Sequence, residues 1–182
     1  MECIMDLEES IWRLREALSL CPPGHEDLSD LLNELAWNLT SRYEAQGLVL
    51  DLEESIRLGR ESLALQPVGH PGREHSLDTL AKSLHFKPEN LDEALQRSRE
   101  SVSLASPKRS SYCEILMNLA NILLRHHERS GAADELEEAI SICAEALSLW
   151  KATHPLHPKL LALQPFASLR KASFSRSDEV GA

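Results

Sequence analysis

The chain has 182 residues, of which 42% are hydrophobic and 26% are charged, a composition typical of one globular domain or one short run of repeats. Its net charge of -10 argues against nucleic acid and anionic membranes as general partners, because both require positive charge. No window approaches the roughly 18 apolar residues of a membrane-spanning helix, and the acidic start MECIMDLEES does not read as a secretory leader.

The cysteines and aromatic residues add two further constraints. Cys3, Cys21, Cys113 and Cys143 form no CxxC pair and match no zinc pattern. With no leader or membrane segment in view, they indicate reduced thiols, and we expect a cytoplasmic protein. Only 4% of the residues are aromatic, so aliphatic side chains and alanine must form the core.

A short phrase recurs along the chain and predicts a first set of helices. It reads DLEESI from Asp6, DLEESI from Asp51, NLDEAL from Asn90 and ELEEAI from Glu135, at steps of 45, 39 and 45 residues. Such a period is typical of a solenoid, in which each unit buries its apolar face against its neighbours. The opening residue of each copy, or Asp134 in the fourth, can cap a helix, and a glutamate follows three residues after each opening residue as in a capping box. We call these four helices B.

Each B helix carries an apolar stripe and two small residues seven positions apart, which keep one helix face close to its neighbour. In the second copy the stripe comprises Leu52, Ile56, Leu63 and Leu65. The small pairs are Ser10 and Ala17, Ser55 and Ser62, Ala94 and Ser101, and Ala139 and Ala146. A proline just past the last apolar residue ends the first three copies.

A second set of helices, called A, carries the signature Leu-x-x-Leu-Ala. It ends at Ala36, Ala81 and Ala120, each 16 residues after the last leucine of the preceding B helix. The two leucines share a helical face, and the alanine lets a partner helix approach. Six residues are missing between A and B in the middle unit, where Pro88 stands, so we expect that A helix to stop near Phe86 or Lys87.

The predicted order is B, A, B, A, B, A, B and a final A helix near residues 158–169. This gives three full pairs between two half units over residues 1–169, followed by a Ser-rich tail at 170–182 that we expect to be disordered. The first B helix has no A partner before it, so the face of Ile4, Leu7 and Ile11 is expected to be exposed and to cause either end-to-end self-association or poor solubility. The predicted fold class is an all-α α-solenoid, a right-handed superhelix of antiparallel helix pairs.

These features resemble tetratricopeptide (TPR) repeats, whose usual period is about 34 residues. The TPR pattern has a Leu and a small residue in the A helix, small residues in the B helix and a closing proline. Here these positions are Leu35 and Ala36, Ser55 and Ser62, and Pro67. The longer unit here, with Gly-His at Gly24 and Gly69, resembles the kinesin-light-chain-like repeats of fungal proteins. Those repeats often accompany a CHAT (caspase-like) peptidase or a nucleotide-binding domain. The resemblance covers about residues 3–165.

The resemblance implies a non-catalytic scaffold whose A helices line a concave face for a peptide or partner domain. The groove-facing positions would be Asn33, Trp37, Asp78, Lys82, Met117 and Asn121. Trp37 is either an exposed anchor or packed against the next A helix. Only Lys82 and Asn121 suit the family's carboxylate clamp, so we do not expect binding of chaperone tails. The alternatives are a sensor arm of a CHAT-type peptidase or nucleotide-binding signalling protein, and a functionless remnant.

We predict no catalytic, cofactor or metal site. No GxxxxGK[ST] or GxGxxG occurs, so the chain lacks a phosphate-binding loop. His126 and His127 are adjacent on a helix and should point about 100° apart, which suits one metal ion poorly. Cys113 lies inside an A helix and is expected to be a buried apolar residue. His25 and His70 follow glycines in equivalent turns and are expected to stabilise those turns.

Overall fold

The computed structural model describes residues 2–149, with side chains described from residue 5 onward. Within that range the chain forms seven α-helices and no strand. They are α1 (Glu2–Leu20), α2 (Leu28–Gln46), α3 (Val49–Leu65), α4 (Arg73–Leu84), α5 (Leu91–Leu104), α6 (Tyr112–Ser130) and α7 (Ala133–Leu149). The order of B and A helices is as predicted up to α7. The expected final A helix at 158–169 and the tail at 170–182 lie outside the described residues.

The chain divides into two compact units, Met1–Ser101 and Val102–Ala182. In the first unit, α2 packs against α1, α3 and α4, and α3 also packs against α4. In the second unit, α6 packs against α7. Consecutive helices joined by short turns and packed along their length form antiparallel hairpins.

The alanines that define the A helices occupy the points of closest packing. Ala36, Ala81 and Ala120 are each 0% exposed, and the leucines before them are also buried. The middle A helix α4 has 12 residues, whereas α2 and α6 each have 19. The predicted register and the predicted shortening of α4 are both confirmed. The helix ends at Leu84, slightly before the expected end, and the Phe86 ring then packs edge-on against Tyr43 at 5.0 Å.

The apolar face of α1 is not exposed as predicted. Ile11 is buried in a cluster that α1 shares with α2 and α3. Leu7 is half-buried against the same cluster, and the side chain of Ile4 lies outside the described part of the chain. The prediction was wrong because α1 turns its apolar stripe toward α2, the A helix that follows it.

The predicted capping residues do not mark the starts of the B helices, except for Asn90. Asp6 lies four residues inside α1, and Asp51 lies in the first turn of α3, which begins at Val49. Gly47 has a left-handed backbone (φ +72°) and its N–H donates to the Tyr43 carbonyl, closing α2. Because this turn is so short, α3 begins sooner than the sequence phrase indicates, and Asp51 faces α2 instead of capping.

The paired small residues are the contact points of the B helices. All six in α3, α5 and α7 are 0% exposed, which confirms their predicted role: Ser55, Ser62, Ala94, Ser101, Ala139 and Ala146. The Ser62 hydroxyl donates to the Ser29 carbonyl at 2.7 Å. The apolar stripe of α3 was drawn too long, since Leu63 is only half-buried and Leu65 is exposed.

Two histidines stabilise equivalent turns, as predicted. The Nδ1 atom of His25 accepts the backbone N–H of Asp27 at 3.2 Å. In the next repeat, Nδ1 of His70 accepts the backbone N–H of Gly72 at 3.1 Å. Each histidine follows a glycine with a left-handed backbone, so the Gly-His dipeptide forms the same turn twice before an A helix.

Candidate functional site

Four of the six predicted groove residues lie on two adjacent A helices of the first unit. Asn33 and Trp37 are one turn apart on α2, and Asp78 and Lys82 are one turn apart on α4. The helix α2 packs against α4. Trp37 and Lys82 are separated by one repeat of 45 residues, so they occupy the same position in successive repeats. We call these four residues the α2–α4 surface.

Trp37 and Lys82 are in direct contact. The Lys82 ammonium nitrogen lies 4.1 Å from the centroid of the Trp37 ring, which is a cation–π arrangement. Trp37 remains 36% exposed. The neighbouring A helix therefore contacts the indole while part of the residue stays open to solvent, and the role of Trp37 as an anchor stays a prediction.

Glu44 completes this arrangement and was missed by the sequence analysis. Its carboxylate lies 3.1 Å from the Lys82 ammonium, whose side chain is only 13% exposed. The signal was present, because Glu44 follows Trp37 by seven residues and therefore lies on the same face of α2, two turns on. A lysine already held by a carboxylate and an indole is poorly placed to clamp the carboxylate of a chaperone tail.

Asn33 and Asp78 form the less exposed part of the α2–α4 surface. Asn33 is half-buried, and its Oδ1 atom is buried without a hydrogen-bond partner among the described residues. Asp78 is buried. Trp37 is therefore the most exposed member of the α2–α4 surface.

The other two predicted groove residues belong to the second unit. Met117 and Asn121 lie one turn apart on α6, and both are half-buried. Met117 packs against the core cluster that α6 and α7 share. Its predicted role in binding a partner was not tested and stays a prediction, as does that of Asn121.

The histidines and cysteines outside the α2–α4 surface make contacts within the helices and turns of the repeats. His126 Nδ1 lies 2.7 Å from Glu135 Oε1, whereas His127 Nδ1 lies 2.7 Å from the Ala132 carbonyl, so the adjacent rings have different partners. Within residues 2–149 no group of three or more His, Cys, Asp or Glu could hold a metal ion. Cys113 is buried, as predicted, and burial raises the pKa of its thiol and of the Cys143 thiol.

Two solved structures resemble this arrangement of helices. They contain the nearly identical TPR-like repeats of a Podosopora anserina protein described as a kinesin light chain. The first has 16% sequence identity and a TM-score of 0.65, and the match covers 95% of this chain and 82% of that one. A variant of the same protein gives a TM-score of 0.66 with the same identity and coverage.

This chain has a TPR-like repeat fold. The likeness confirms the predicted α-solenoid class of antiparallel helix pairs, and it confirms the TPR resemblance at the level of the fold. No protein-family model and no curated protein sequence matches the chain. No helix in the described range is both long and apolar enough to cross a membrane.

Proposed function

We propose that this TPR-like chain is a non-catalytic protein-interaction scaffold whose α2–α4 surface binds an extended segment of a protein partner. The observation that carries the proposal is Trp37, which is 36% exposed and whose ring contacts the Lys82 ammonium. Aromatic side chains with a fixed orientation are frequent anchors of protein interfaces, because little side-chain entropy is lost when they bind.

Asn33 and Asp78 flank the indole and are proposed to contribute to the same contact. Asn33 is half-buried one turn away on α2, and Asp78 is buried one turn before Lys82 on α4, so each must become more accessible when a partner binds. In the second unit, Met117 and Asn121 are proposed to serve the same purpose on α6. An apolar or cationic side chain on the partner would pack against the exposed part of Trp37.

The test is selection of binding peptides from a random phage-displayed library on the full chain. The selected peptides are then measured against the wild type, Trp37→Ala and Lys82→Ala by fluorescence polarisation. Trp37→Ala should abolish most of the binding, and Lys82→Ala should weaken it because the ring loses its support. Trp12→Ala is the matched control, since Trp12 is exposed on α1, outside the α2–α4 surface. Equal binding by Trp37→Ala and the wild type would contradict the proposal.

The alternative is that the chain serves as the sensor arm of a CHAT-type peptidase or of a nucleotide-binding signalling protein. The long repeat and the two Gly-His turns support this alternative. An immunoblot of extract from the source cells, made with an antibody against this chain, tests the alternative. A detected protein much larger than 20.4 kDa would favour the sensor arm, and a detected protein of that mass would exclude it.

Two further predictions accompany the proposed scaffold. Residues 1–169 are proposed to act as one repeat domain, which limited proteolysis followed by mass spectrometry can examine.

The protein is proposed to work in the cytoplasm. The thiols of Cys21, Cys113 and Cys143 form no disulfide and would stay reduced there. Imaging a fluorescent fusion checks the compartment.

A further inference from the structure

One face of α1 is open and borders a cleft of about 490 Å³. The cleft is lined by six residues of α1 and one of α2: Asp6, Glu9, Ser10, Arg13, Leu14, Ala17 and Glu34. Within residues 2–149, α2 is the A helix that packs against α1. The helix α1 also meets α3 through the cluster around Ile11 and the ion pair of Arg15 with Glu54.

The same face is fully covered one repeat later. The residues of α3 that correspond to Asp6, Ser10, Arg13 and Ala17 are all buried: Asp51, Ser55, Leu58 and Ser62. Two of them contact α2, the A helix that precedes α3: Asp51 pairs with Arg42, and the Ser62 hydroxyl donates to the Ser29 carbonyl. On α1, by contrast, Asp6 and Arg13 are exposed and the two small residues are only half-buried. The cleft therefore occupies the place where an A helix packs in the next repeat.

The covered faces also show what chemistry an A helix brings to them. Arg42, near the end of α2, pairs with Asp51 near the start of α3 at 2.6 Å. Arg73, at the start of α4, pairs with Glu100 near the end of α5 at 3.0 Å. Basic residues at the ends of an A helix thus meet acidic residues at the opposite ends of the B helix. The equivalent acidic residues on α1 are Asp6 and Glu16.

Arg13 on the open face is compatible with a packed helix. Its counterpart in α5 is Arg97, which lies between Glu93 and Glu100 with its side chain 30% exposed. That helix has an A helix against it, because the Ser101 hydroxyl donates to the Glu74 carbonyl of α4 at 2.7 Å. An arginine at this position therefore tolerates a neighbour when glutamates accompany it, as Glu9 does for Arg13.

We propose that the cleft on α1 binds the segment 150–182 of a second copy of this chain. That segment carries five Lys or Arg against two Asp or Glu, although the whole chain has a net charge of -10. The cleft has the opposite balance, with three acidic residues and one basic residue. The segment contains five large apolar side chains between Lys159 and Arg170: Leu160, Leu161, Leu163, Phe166 and Leu169.

The spacing of the charges also matches. Eleven residues separate Lys159 from Arg170, and ten separate Asp6 from Glu16. In the proposed complex the segment runs antiparallel to α1, with Lys159 near Glu16 and Arg170 near Asp6. This orientation is the one seen for Arg73 with Glu100 and Arg42 with Asp51. The site is separate from the α2–α4 surface, so neither proposal depends on the other.

Sedimentation of the full chain over a range of concentrations gives the first test. The average mass should rise above 20.4 kDa with concentration, and it should rise less at high salt because charge pairs contribute to the contact. A chain that stays monomeric at every concentration and at low salt would overturn the proposal.

Two complementary variants give the sharper test. The face variant is Asp6→Arg, and the segment variant combines Lys159→Glu with Arg170→Glu. Each alone should associate about tenfold more weakly than the wild type, because like charges then oppose each other. An equimolar mixture of the two should associate again, since the basic segment of one copy meets the acidic face of the other.

The control for the face variant is Glu8→Arg, which makes the same change of charge at an exposed residue that does not line the cleft. It should change association by less than about threefold. Equal weakening by Asp6→Arg and Glu8→Arg would refute the assigned face. A mixture of face and segment variants that stays monomeric would refute the assigned occupant. Circular dichroism of each variant verifies that it is folded.

Discussion

Arg42 and Asp51 form a two-point ion pair across the turn between α2 and α3. The Nε atom donates to Oδ2 at 2.6 Å, and Nη2 donates to Oδ1 at 2.8 Å. The side chains are only 17% and 7% exposed. The hydrogen bond to Asp51 raises the pKa of Arg42 despite burial, which acts in the opposite direction. This carboxylate therefore holds the hairpin closed and does not cap a helix.

Replacing Asp51 with alanine should lower the free energy of unfolding by about 3–5 kcal/mol, because the Arg42 charge would stay buried without its partner. Urea unfolding followed by circular dichroism measures the change. The control is Glu61→Ala, which removes an exposed i,i+4 partner of Arg57 on α3 and should cost at most about 0.5 kcal/mol. Similar costs for the two variants would show that the Arg42 pair is not buried in solution.

Leu80→Ala should destabilise the protein far more than Leu63→Ala. Leu80 is 1% exposed in the Leu-x-x-Leu-Ala signature of α4, so its truncation should lower the free energy of unfolding by ~2–5 kcal/mol. Leu63 is half-buried on α3, and we expect a cost of roughly 1 kcal/mol there. The two melting temperatures give the comparison. A larger loss for Leu63→Ala would mean that the register of α3 is wrong.

Gly59 marks a close approach between α3 and α4. A Cβ atom built there would lie 3.3 Å from Leu80 Cδ1. Gly59→Leu should therefore lower the free energy of unfolding by ~1–3 kcal/mol through overpacking. Gly59→Ala is the matched variant, in which a gain of about 1 kcal/mol in helix propensity offsets the tight contact. If Gly59→Leu melts at or above the wild-type temperature, the two helices do not approach closely.

Stability should decline at alkaline pH. Burial raises the pKa of the Cys143 thiol. Burial also raises the pKa of the Tyr112 phenol, and its hydrogen bond to Glu145 raises it further. The folded protein then binds more protons than the unfolded chain, so the stabilisation is complete below the unfolded pKa values. It should be lost as pH rises past about 8.5 for the thiol and about 10 for the phenol.

Urea midpoints measured between neutral and alkaline pH check this prediction. Cys143→Ala should remove part of the decline, because one of the responding groups is then absent. A midpoint that stays constant or rises with pH would contradict the assigned direction.

Much of the fold could be predicted because the repeat signals in this sequence are packing signals. The alanine at the end of each Leu-x-x-Leu-Ala signature is needed wherever two helices touch, so Ala36 and Ala81 gave the correct register. The helix starts were less predictable. Asp51 has the sequence appearance of a cap, yet a favourable partner nine residues earlier in the chain, Arg42, competes for its carboxylate.

The candidate site was predictable in position but not in contacts. Equivalent positions of successive A helices lie side by side, which is why Trp37 and Lys82 could be named together. Their cation–π contact depends on a rotamer of Lys82 that the sequence does not reveal. Glu44 directs that rotamer, and its effect becomes visible only once the end of α2 is placed beside α4.

The shortened helix α4 shows where this architecture accepts changes of length. Its six missing residues fall at the tip of the hairpin, beyond Leu84, so the buried leucines and alanine of the signature keep their partners. Natural deletions and laboratory insertions of tags or epitopes should therefore be tolerated at the tips between A and B helices. Gene duplication could in this way generate arrays whose units differ in size while their interiors remain interchangeable.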